Sequence, residues 1–318
     1  MFLIPLALFA AQETAAAPPP PPLQAPADVP ADPAAPPAAT PAADELAFAT
    51  EDTRMTVPVE VAGTGPHRFI IDTGAQRTVI SRELADEIGL ARGRRVGLVA
   101  MTGRQQVDTV LVPSIKVSTL GGERIEAPQL ERRYMGAPGI LGIDTLQGHA
   151  VSIDFDNETM SVSPSSARDK RRGRSTPGEI VVRAKSLFGQ LVVTDATFGR
   201  TRVRVILDTG TPVSMGNEAL RRRVMSTRKK GRDVELVSVI GGKMTAGYTQ
   251  IPQVKIGSAT IENLPVAFSV SAPFKEWALE DRPAILLGMD VLRLFRRVHI
   301  DFANREVRLT LPRGARAA

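Results

Sequence analysis

The chain has 318 residues and a formal net charge of +6, contains no cysteine, and only 4% of its residues are aromatic. Without cysteine it can form no disulfide, carry no lipid on a cysteine and use no thiol as a nucleophile. So few aromatic residues, none of them among the clusters of basic residues, argue against nucleic acid as a partner, because bases stack on aromatic side chains.

The first element in chain order is an apolar run at 2–11, followed by Gln12 and Glu13. It has the length of the apolar core of an export signal and falls short of the ~20 residues that span a bilayer. No basic residue precedes it, so an uncleaved weak anchor is the alternative. We expect residues 1–16 to be a signal peptide or weak anchor, and the protein to be periplasmic or secreted, either free or tethered to the inner membrane.

Composition divides the rest of the chain. The first 44 residues hold 12 of the 25 prolines and no Lys, Arg or His, which predicts a disordered Ala/Pro-rich linker at 17–44. Residues 45–318 are enough for two lobes of ordinary domain size. We expect an N-terminal lobe at 45–163, a basic inter-lobe linker at 164–178, a C-terminal lobe at 179–312 and a tail at 313–318.

Basic residues cluster at 92–95, 168–174, 221–223 and 228–232. Such runs attract anions without specifying which. An anionic membrane surface and an acidic stretch of a protein substrate are therefore candidate partners, and solvated loops without a partner are the alternative.

Local patterning within each lobe is that of β-structure. Short Val- and Ile-rich runs bounded by Gly, Pro or Asn predict strands throughout. Helices are expected only at 81–88, capped by Ser81 and ended by Gly89, at 217–224, and as short turns near 144–146 and 290–295. This pattern predicts an all-β protein built from small barrels with few short helices.

One tripeptide occurs twice, as Asp72-Thr73-Gly74 and Asp208-Thr209-Gly210, each time after an apolar run. A single copy would be interpreted as a strand ending in a turn. Two aspartates brought face to face can share a proton and activate a water molecule. The duplication is the first indication of an enzyme.

The surroundings of the tripeptide repeat in the same order, which identifies an internal tandem repeat. The matching pairs are 96–99 with 234–237, 112–117 with 251–256, 140–146 with 286–292, and 151–157 with 298–304. The second copy carries an insertion near 273–281, which contains the only tryptophan, Trp277. It could edge a substrate cleft; we favour a surface loop with Trp277 packed onto its own lobe.

Each half also has Thr78 or Ser214 four residues beyond the glycine, a hairpin with glycine, an apolar-apolar-Gly motif and a closing Ile-Asp-Phe strand. In this order the motifs resemble a retropepsin-like aspartic protease domain, nearly end to end in each half. The resemblance implies two tandem retropepsin-like β-barrel lobes that form a pseudo-twofold bilobal protein. With an export signal, the chain is most similar to the periplasmic retropepsin-like proteases of bacteria.

The resemblance also implies how the site acts. Asp72 and Asp208 would face each other and hold one proton between them, and the pair would activate water with no metal, cofactor or covalent intermediate. Gly74 and Gly210 would let the backbone approach the carboxylates. Thr73 and Thr209 would hydrogen-bond across the pseudo-twofold axis.

The two copies differ directly after the glycine, where lobe one has Ala75 and lobe two has Thr211. A hydroxyl that reaches Asp208 would favour the ionised form of that carboxyl. Our hypothesis from the sequence is that Asp208 is mainly the base and Asp72 mainly the acid.

Two hairpin turns are candidate flaps that close over an extended peptide. Neither of the two tyrosines, Tyr134 and Tyr248, lies at a hairpin tip. Apolar tip residues suggest either substrate subsites or core packing. The candidate flap residues are Met101, Thr102 and Gly103 in lobe one, and Ile240, Gly241 and Gly242 in lobe two.

The sequence thus predicts a monomeric aspartic endopeptidase that acts on a polypeptide, with a membrane-anchored envelope protein as one option. Two alternatives stay open: a non-catalytic peptide-binding or adaptor module on the same fold, and a protease that is active only as a swapped dimer. Three histidines in unrelated contexts, His67, His149 and His299, predict no metal site.

Overall fold

The computed structural model describes residues 54–117, 120–121, 124–165, 178–187, 190–193, 196–225 and 231–312, together with short strands at 4–6, 9–11, 45–47 and 49–51. The predicted linker at 17–44, most of the basic linker at 164–178 and the tail at 313–318 lie outside these residues. Within them, no helix is long and apolar enough to cross a membrane.

The described residues of the first half of the chain form fifteen strands and three short helices. The strands are β1 (Ile4–Leu6), β2 (Phe9–Ala11), β3 (Glu45–Ala47), β4 (Ala49–Glu51), β5 (Arg54–Val61), β6 (Thr64–Ile71), β7 (Val79–Ser81), β8 (Ala91–Ala100), β9 (Gly103–Val112), β10 (Ile115–Val117), β11 (Leu120–Gly121), β12 (Ile125–Leu130), β13 (Gly139–Leu141), β14 (His149–Asp154) and β15 (Thr159–Pro164), and the helices are α1 (Arg82–Glu87), α2 (Arg132–Met135) and α3 (Ile143–Leu146).

The second half contributes twelve described strands and three described helices. The strands are β16 (Glu179–Leu187), β17 (Gln190–Val193), β18 (Ala196–Phe198), β19 (Thr201–Arg202), β20 (Arg204–Leu207), β21 (Met215–Gly216), β22 (Arg232–Ser238), β23 (Lys243–Ile256), β24 (Ala259–Phe268), β25 (Ala284–Leu287), β26 (Arg297–Asp301) and β27 (Glu306–Thr310), and the helices are α4 (Glu218–Met225), α5 (Ala272–Glu276) and α6 (Met289–Leu292). The predicted all-β architecture with few short helices is confirmed.

Each lobe is built around the same three-strand arrangement. In lobe one, β13 is parallel to β6 and antiparallel to β7. In lobe two, β25 is parallel to β20 and antiparallel to β21. The central strand is the apolar-apolar-Gly motif of the sequence, and it is buried on both sides, as its continuous apolar run requires.

The lobes are joined by a shared sheet made from the closing strands. Its order is β16-β27-β26-β14-β15-β3, and β14 pairs with β26 in antiparallel fashion from Ala150 opposite Asp301 to Asp154 opposite Arg297. Buried apolar side chains of β14, β15, β16, β26 and β27 belong to one core cluster that extends into both lobes. The two copies of the repeat therefore share one sheet and one core, and are not two separate domains joined by a linker.

The two main helix predictions hold, with bounds shifted by about a residue. Helix α1 begins after Ser81, whose Oγ accepts a hydrogen bond from the Leu84 backbone N–H at 3.1 Å. Asn217 caps α4 in the same way, accepting from Leu220 N–H at 2.9 Å. A side-chain acceptor at this position satisfies a donor that the first turn leaves free.

Two strands lie within the predicted signal or anchor segment. Strand β1 pairs in parallel with β8, Ile4 opposite Leu98, and β2 pairs antiparallel with β22, Phe9 opposite Ser238. Both partners belong to the hairpins predicted as flaps. Export of the protein stays a prediction.

Candidate active site

Each aspartate of the repeated tripeptide lies at the end of a buried strand and is held by the strand beside it. The Asp72 backbone N–H donates to Leu141 O, and the Asp208 N–H donates to Leu287 O, both at 3.0 Å. Because β13 and β25 run parallel to the strands that end at the aspartates, they fix both loops at the same edge of their sheets. The repeat in sequence is thus a repeat in geometry.

The threonines of the two tripeptides lock the loops together. Thr73 Oγ1 donates to Leu207 O and Thr209 Oγ1 donates to Ile71 O, each at 2.8 Å. The same hydroxyls accept from the opposite backbone, with Thr73 N–H to Thr209 Oγ1 at 3.1 Å and Thr209 N–H to Thr73 Oγ1 at 3.2 Å. This is the cross-axis pairing that the resemblance implied.

The glycines leave room for the opposite carboxyl group. A Cβ added at Gly74 would lie 2.6 Å from Asp208 Oδ2, and one added at Gly210 would collide with the Asp72 carboxyl group. Real Cβ atoms do not approach other atoms so closely. Asp72 and Asp208 are both fully buried, so each carboxyl group lies in the interior against the other lobe's loop.

Backbone N–H groups of its own loop bond each carboxyl group. Asp72 Oδ1 accepts from Gly74 N–H at 2.8 Å and from Ala75 N–H at 2.9 Å, and Asp208 Oδ1 accepts from Gly210 N–H at 3.0 Å, with the Thr211 backbone also bonded to Asp208. Both Oδ2 atoms are buried, and within the described structure neither has a hydrogen-bond partner outside the pair of carboxyl groups. Two unsatisfied oxygens in one interior site are where a water molecule or a substrate carbonyl can bind.

Burial is the main influence on both titrations. Burial raises the pKa of Asp72 to about 7, opposed by a hydrogen bond with Asp208, by the Gly74 and Ala75 N–H groups and by the charge of Arg54. Burial, followed by the negative charge of Asp72, raises the pKa of Asp208 well above its ordinary value. Burial and the proximity of the two carboxyl groups therefore favour a pair that holds one proton.

The assignment of Asp208 as the base depended on the Thr211 hydroxyl. That hydroxyl donates to Val213 O at 3.1 Å, within its own loop, and not to Asp208. The contact expected from the sequence is therefore replaced by another one, and the choice of base stays a prediction.

A second pair of aspartates supports the loops from behind. Thr78 donates its hydroxyl and its backbone N–H to Asp144 Oδ1, both at 2.8 Å. Ser214 donates its hydroxyl to Asp290 Oδ1 at 2.6 Å. Sequence reasoning treated Asp144 and Asp290 only as part of the repeat; their place two residues after the motif glycine in both copies was the available signal.

The first candidate flap is the hairpin of β8 and β9, and its tip is anchored on the opposite lobe. Met101 is 1% exposed and belongs to a lobe-two cluster with Phe274, Trp277 and Leu279. Its carbonyl accepts from Ala272 N–H at 3.2 Å, and Arg104 next to the tip pairs with Glu276. Of the two interpretations of Met101, the structure shows packing.

The insertion of lobe two thus forms part of the cluster on which Met101 packs, which we call the seat of the first flap. Trp277 packs onto its own lobe, as expected, with Phe274 edge-on at 6.3 Å between ring centroids. Trp277 is 1% exposed, and its cluster also contains Met101 of lobe one, so the insertion packs against the other lobe as well. Sequence spacing located the insertion and could not show what covers it.

The second candidate flap is the hairpin of β22 and β23, and its tip lies on lobe one. Val239 and Ile240 pack in a lobe-one cluster, and a Cβ added at Gly241, where φ is 80°, would lie 2.6 Å from the Tyr134 ring. A Cβ at Gly242 would strike the Thr102 side chain of the first flap. The two tips therefore meet, and Tyr134 contacts the second tip although it is remote in sequence.

The chain was compared with known protein families and with curated proteins. The model of the gag-polyprotein putative aspartyl protease family matches residues 57–148, and the Aspartyl protease family model matches residues 194–291. Each match contains one Asp-Thr-Gly loop, and together they span more than half of the chain. No curated protein matches. The chain belongs to the retropepsin-like aspartyl proteases, with two tandem lobes in one polypeptide.

Proposed function

We propose that this aspartic protease is an endopeptidase in which each lobe supplies one aspartate to a single water-activating site. The observation that carries the proposal is the packing of each carboxyl group, Asp72 and Asp208, against the glycine of the opposite Asp-Thr-Gly loop in an interior site. Because one chain brings both aspartates together, the site needs no second copy of the protein.

The asymmetry of the pair supports assigned roles. Asp72, the ionised member, takes a proton from water as the water oxygen attacks the scissile carbonyl carbon. Asp208 donates its proton to the carbonyl oxygen, which gives a neutral tetrahedral diol. Asp72 then protonates the amide nitrogen and Asp208 regains a proton from a hydroxyl as the C–N bond breaks, so the pair returns to its starting state.

The hairpins support an extended polypeptide as substrate. Each tip closes onto the opposite lobe, so a chain that reaches Asp72 and Asp208 must pass beneath both hairpins. We propose an envelope or secreted protein as the target, in line with the apolar run at 2–11. Fractionation of cells that produce the full chain tests this location: recovery in the cytoplasm alone contradicts it.

The test of activity uses Asp72→Asn and Asp208→Asn, which remove one ionisable group and nearly preserve volume. The purified full-length protein is incubated with a proteome-derived peptide mixture in H₂¹⁸O across pH 3–8, and new termini are read by mass spectrometry. We expect cleavage by the native protein with ¹⁸O in the new carboxyl groups, and a loss of about 10³-fold or more in either variant.

Asp156→Asn is the matched control, since Asp156 is an exposed aspartate paired with Arg296 away from the site. It should cleave like the native protein. Cleavage that survives in either Asn variant would contradict the shared pair, and peptide binding without new termini at any pH would favour the peptide-binding module.

A further inference from the structure

The strands β5 and β17, which pair with the strands that enter the two Asp-Thr-Gly loops, carry one further pair of equivalent residues. In lobe one, Glu51 is opposite Arg54, and Thr56 is opposite Ile70. In lobe two, Leu187 is opposite Gln190, and Val192 is opposite Ile206. Every number differs by 136, the separation of Asp72 and Asp208, so Arg54 and Gln190 occupy the same position in the two copies.

Gln190 shows what this position reaches. It is fully buried, and its Nε2 donates to Gly74 O at 2.8 Å. Gly74 belongs to the loop of the other lobe, so the residue at this position extends across the pseudo-twofold axis to the catalytic loops. A neutral amide is sufficient for that contact.

Arg54 brings a charge to the equivalent position. Its side chain is 2% exposed. A Cβ added at Gly136, where φ is 78°, would lie 2.5 Å from Arg54 Nη2, so the guanidinium lies against the backbone that leads into β13. A guanidinium stays protonated in proteins, and a buried cation requires negative charge nearby.

We propose that Arg54 is a positioning residue for the charge of the catalytic pair: its guanidinium, present in lobe one only, keeps Asp72 ionised and leaves the shared proton on Asp208. This inference rests on the proposed function for its consequence in catalysis. One proton on two carboxyl groups leaves a net charge of −1 in the site, which the +1 of Arg54 balances. Gln190 supplies no charge, so the positive charge favours the ionised form of Asp72 over that of Asp208.

The other charged groups near Arg54 do not remove this asymmetry. Asp72 is influenced by Asp208 and by Arg54, and the positive charge lowers the pKa of Asp72. Glu51 is opposite Arg54 in the strand pairing, and its counterpart in lobe two is Leu187. Arg132 and Arg133 in the helix before Gly136 are exposed, where water screens their charge. Gln190 of lobe two is neutral, so the positive charge that acts on Asp72 comes from lobe one.

The experiment exchanges the residues of the two lobes in the full chain. Arg54→Gln copies the residue of lobe two, Arg54→Lys keeps the charge, and Arg54→Gln with Gln190→Arg moves the charge to the other side. The acidic limb of kcat/KM against pH is measured for each, and the two aspartates are titrated directly by NMR of ¹³C-labelled Asp carboxyl carbons.

We expect Arg54→Gln to move the acidic limb and the lower of the two dyad titrations upward by about one pH unit. Arg54→Lys should keep both near their native positions, and the exchange variant should restore them, with Asp208 now ionising first. A limb and a titration that stay in place in Arg54→Gln overturn the inference, as does a shift of equal size in Arg54→Lys.

Arg68→Gln is the matched control. Arg68 lies on the neighbouring strand and binds Thr56 at 2.7 and 2.9 Å, so its loss perturbs the same strand pair. The limb should not move in this variant. Thermal unfolding shows which variants are folded. If the native protein cleaves no peptide at any pH, the proposed function fails, and the NMR titrations still decide the role of Arg54.

Discussion

Lobe one and lobe two place the same tripeptide on the same strands and then surround it differently. The threonine pairing is symmetric to within 0.1 Å in each bond type, with 2.8 Å on both sides for the hydroxyl donors. The charge near the carboxyl groups differs, because a buried arginine, Arg54, occupies in lobe one the position that Gln190 occupies in lobe two. The threonine contacts that hold the two loops together are thus symmetric, whereas the charge near the two carboxyl groups is not. The loops need matching contacts, but a single shared proton does not need matching surroundings.

The largest expected effect comes from changing the two loop glycines, which both lobes share. Gly74→Ala and Gly210→Ala should each abolish cleavage, by about 10³-fold or more, because the new methyl group meets the opposite carboxyl group. Peptide cleavage assays measure this. Gly247→Ala is the control, since nothing lies within 4 Å of its added Cβ. Cleavage by either loop variant at the native rate would mean that the lobes stand further apart.

The next prediction concerns the effect of the Asp72 pKa on the stability of the fold. The folded-state pKa of Asp72 is about 7 against an ordinary 3.8, so between these values the folded protein holds a proton that the unfolded chain releases. Stability contributed by Asp72 therefore falls as pH rises from about 4 to 7 and stays low above 7.

Asp72→Asn removes this penalty. We expect its Tm to exceed that of the native protein by roughly 3–8 °C at pH 8, with little difference near pH 4. Asp156→Asn, at an exposed position, should match the native protein at both values. A gain that is equal at pH 4 and pH 8 would contradict the burial explanation.

Much of this site could be predicted from the sequence, since the repeat aligned Asp72 with Asp208 and the flaps with each other. What escaped prediction were contacts between copies: Tyr134 beneath Gly241, and Met101 against Trp277. Aligning the two copies of a repeat shows which residues they have in common. The alignment does not show where one copy contacts the other. The partner of the Thr211 hydroxyl also escaped prediction, because it is the backbone carbonyl of Val213 and carries no sequence signal.

A smaller effect tests the difference between the flaps. Met101→Ala should open the seat in lobe two, and the emission of Trp277, the only tryptophan, should shift to the red as water enters. Ile240→Ala should leave that emission unchanged, because Ile240 packs on lobe one. A red shift in both variants, or in neither, would mean that the tips are not anchored separately.

The smallest expected effect concerns the residue after each glycine. Thr211→Ala makes the two loops alike, and because its hydroxyl binds Val213 O, the acidic limb of kcat/KM should not move. Profiles of the variant and the native protein, measured together, check this. An upward shift would restore Thr211 as a donor to Asp208 and reopen the assignment of acid and base.

Each flap tip packs on the opposite lobe, and these two contacts depend on residues that differ between the lobes. The seat for Met101 includes an insertion that lobe two has and lobe one lacks, and Tyr134 beneath the other tip has no tyrosine counterpart at the matching place in lobe two. Two copies of lobe one would lack the Trp277 seat, and two copies of lobe two would have no Tyr134. A pair of identical lobes would therefore lack one of the two tip contacts that this chain makes within one polypeptide.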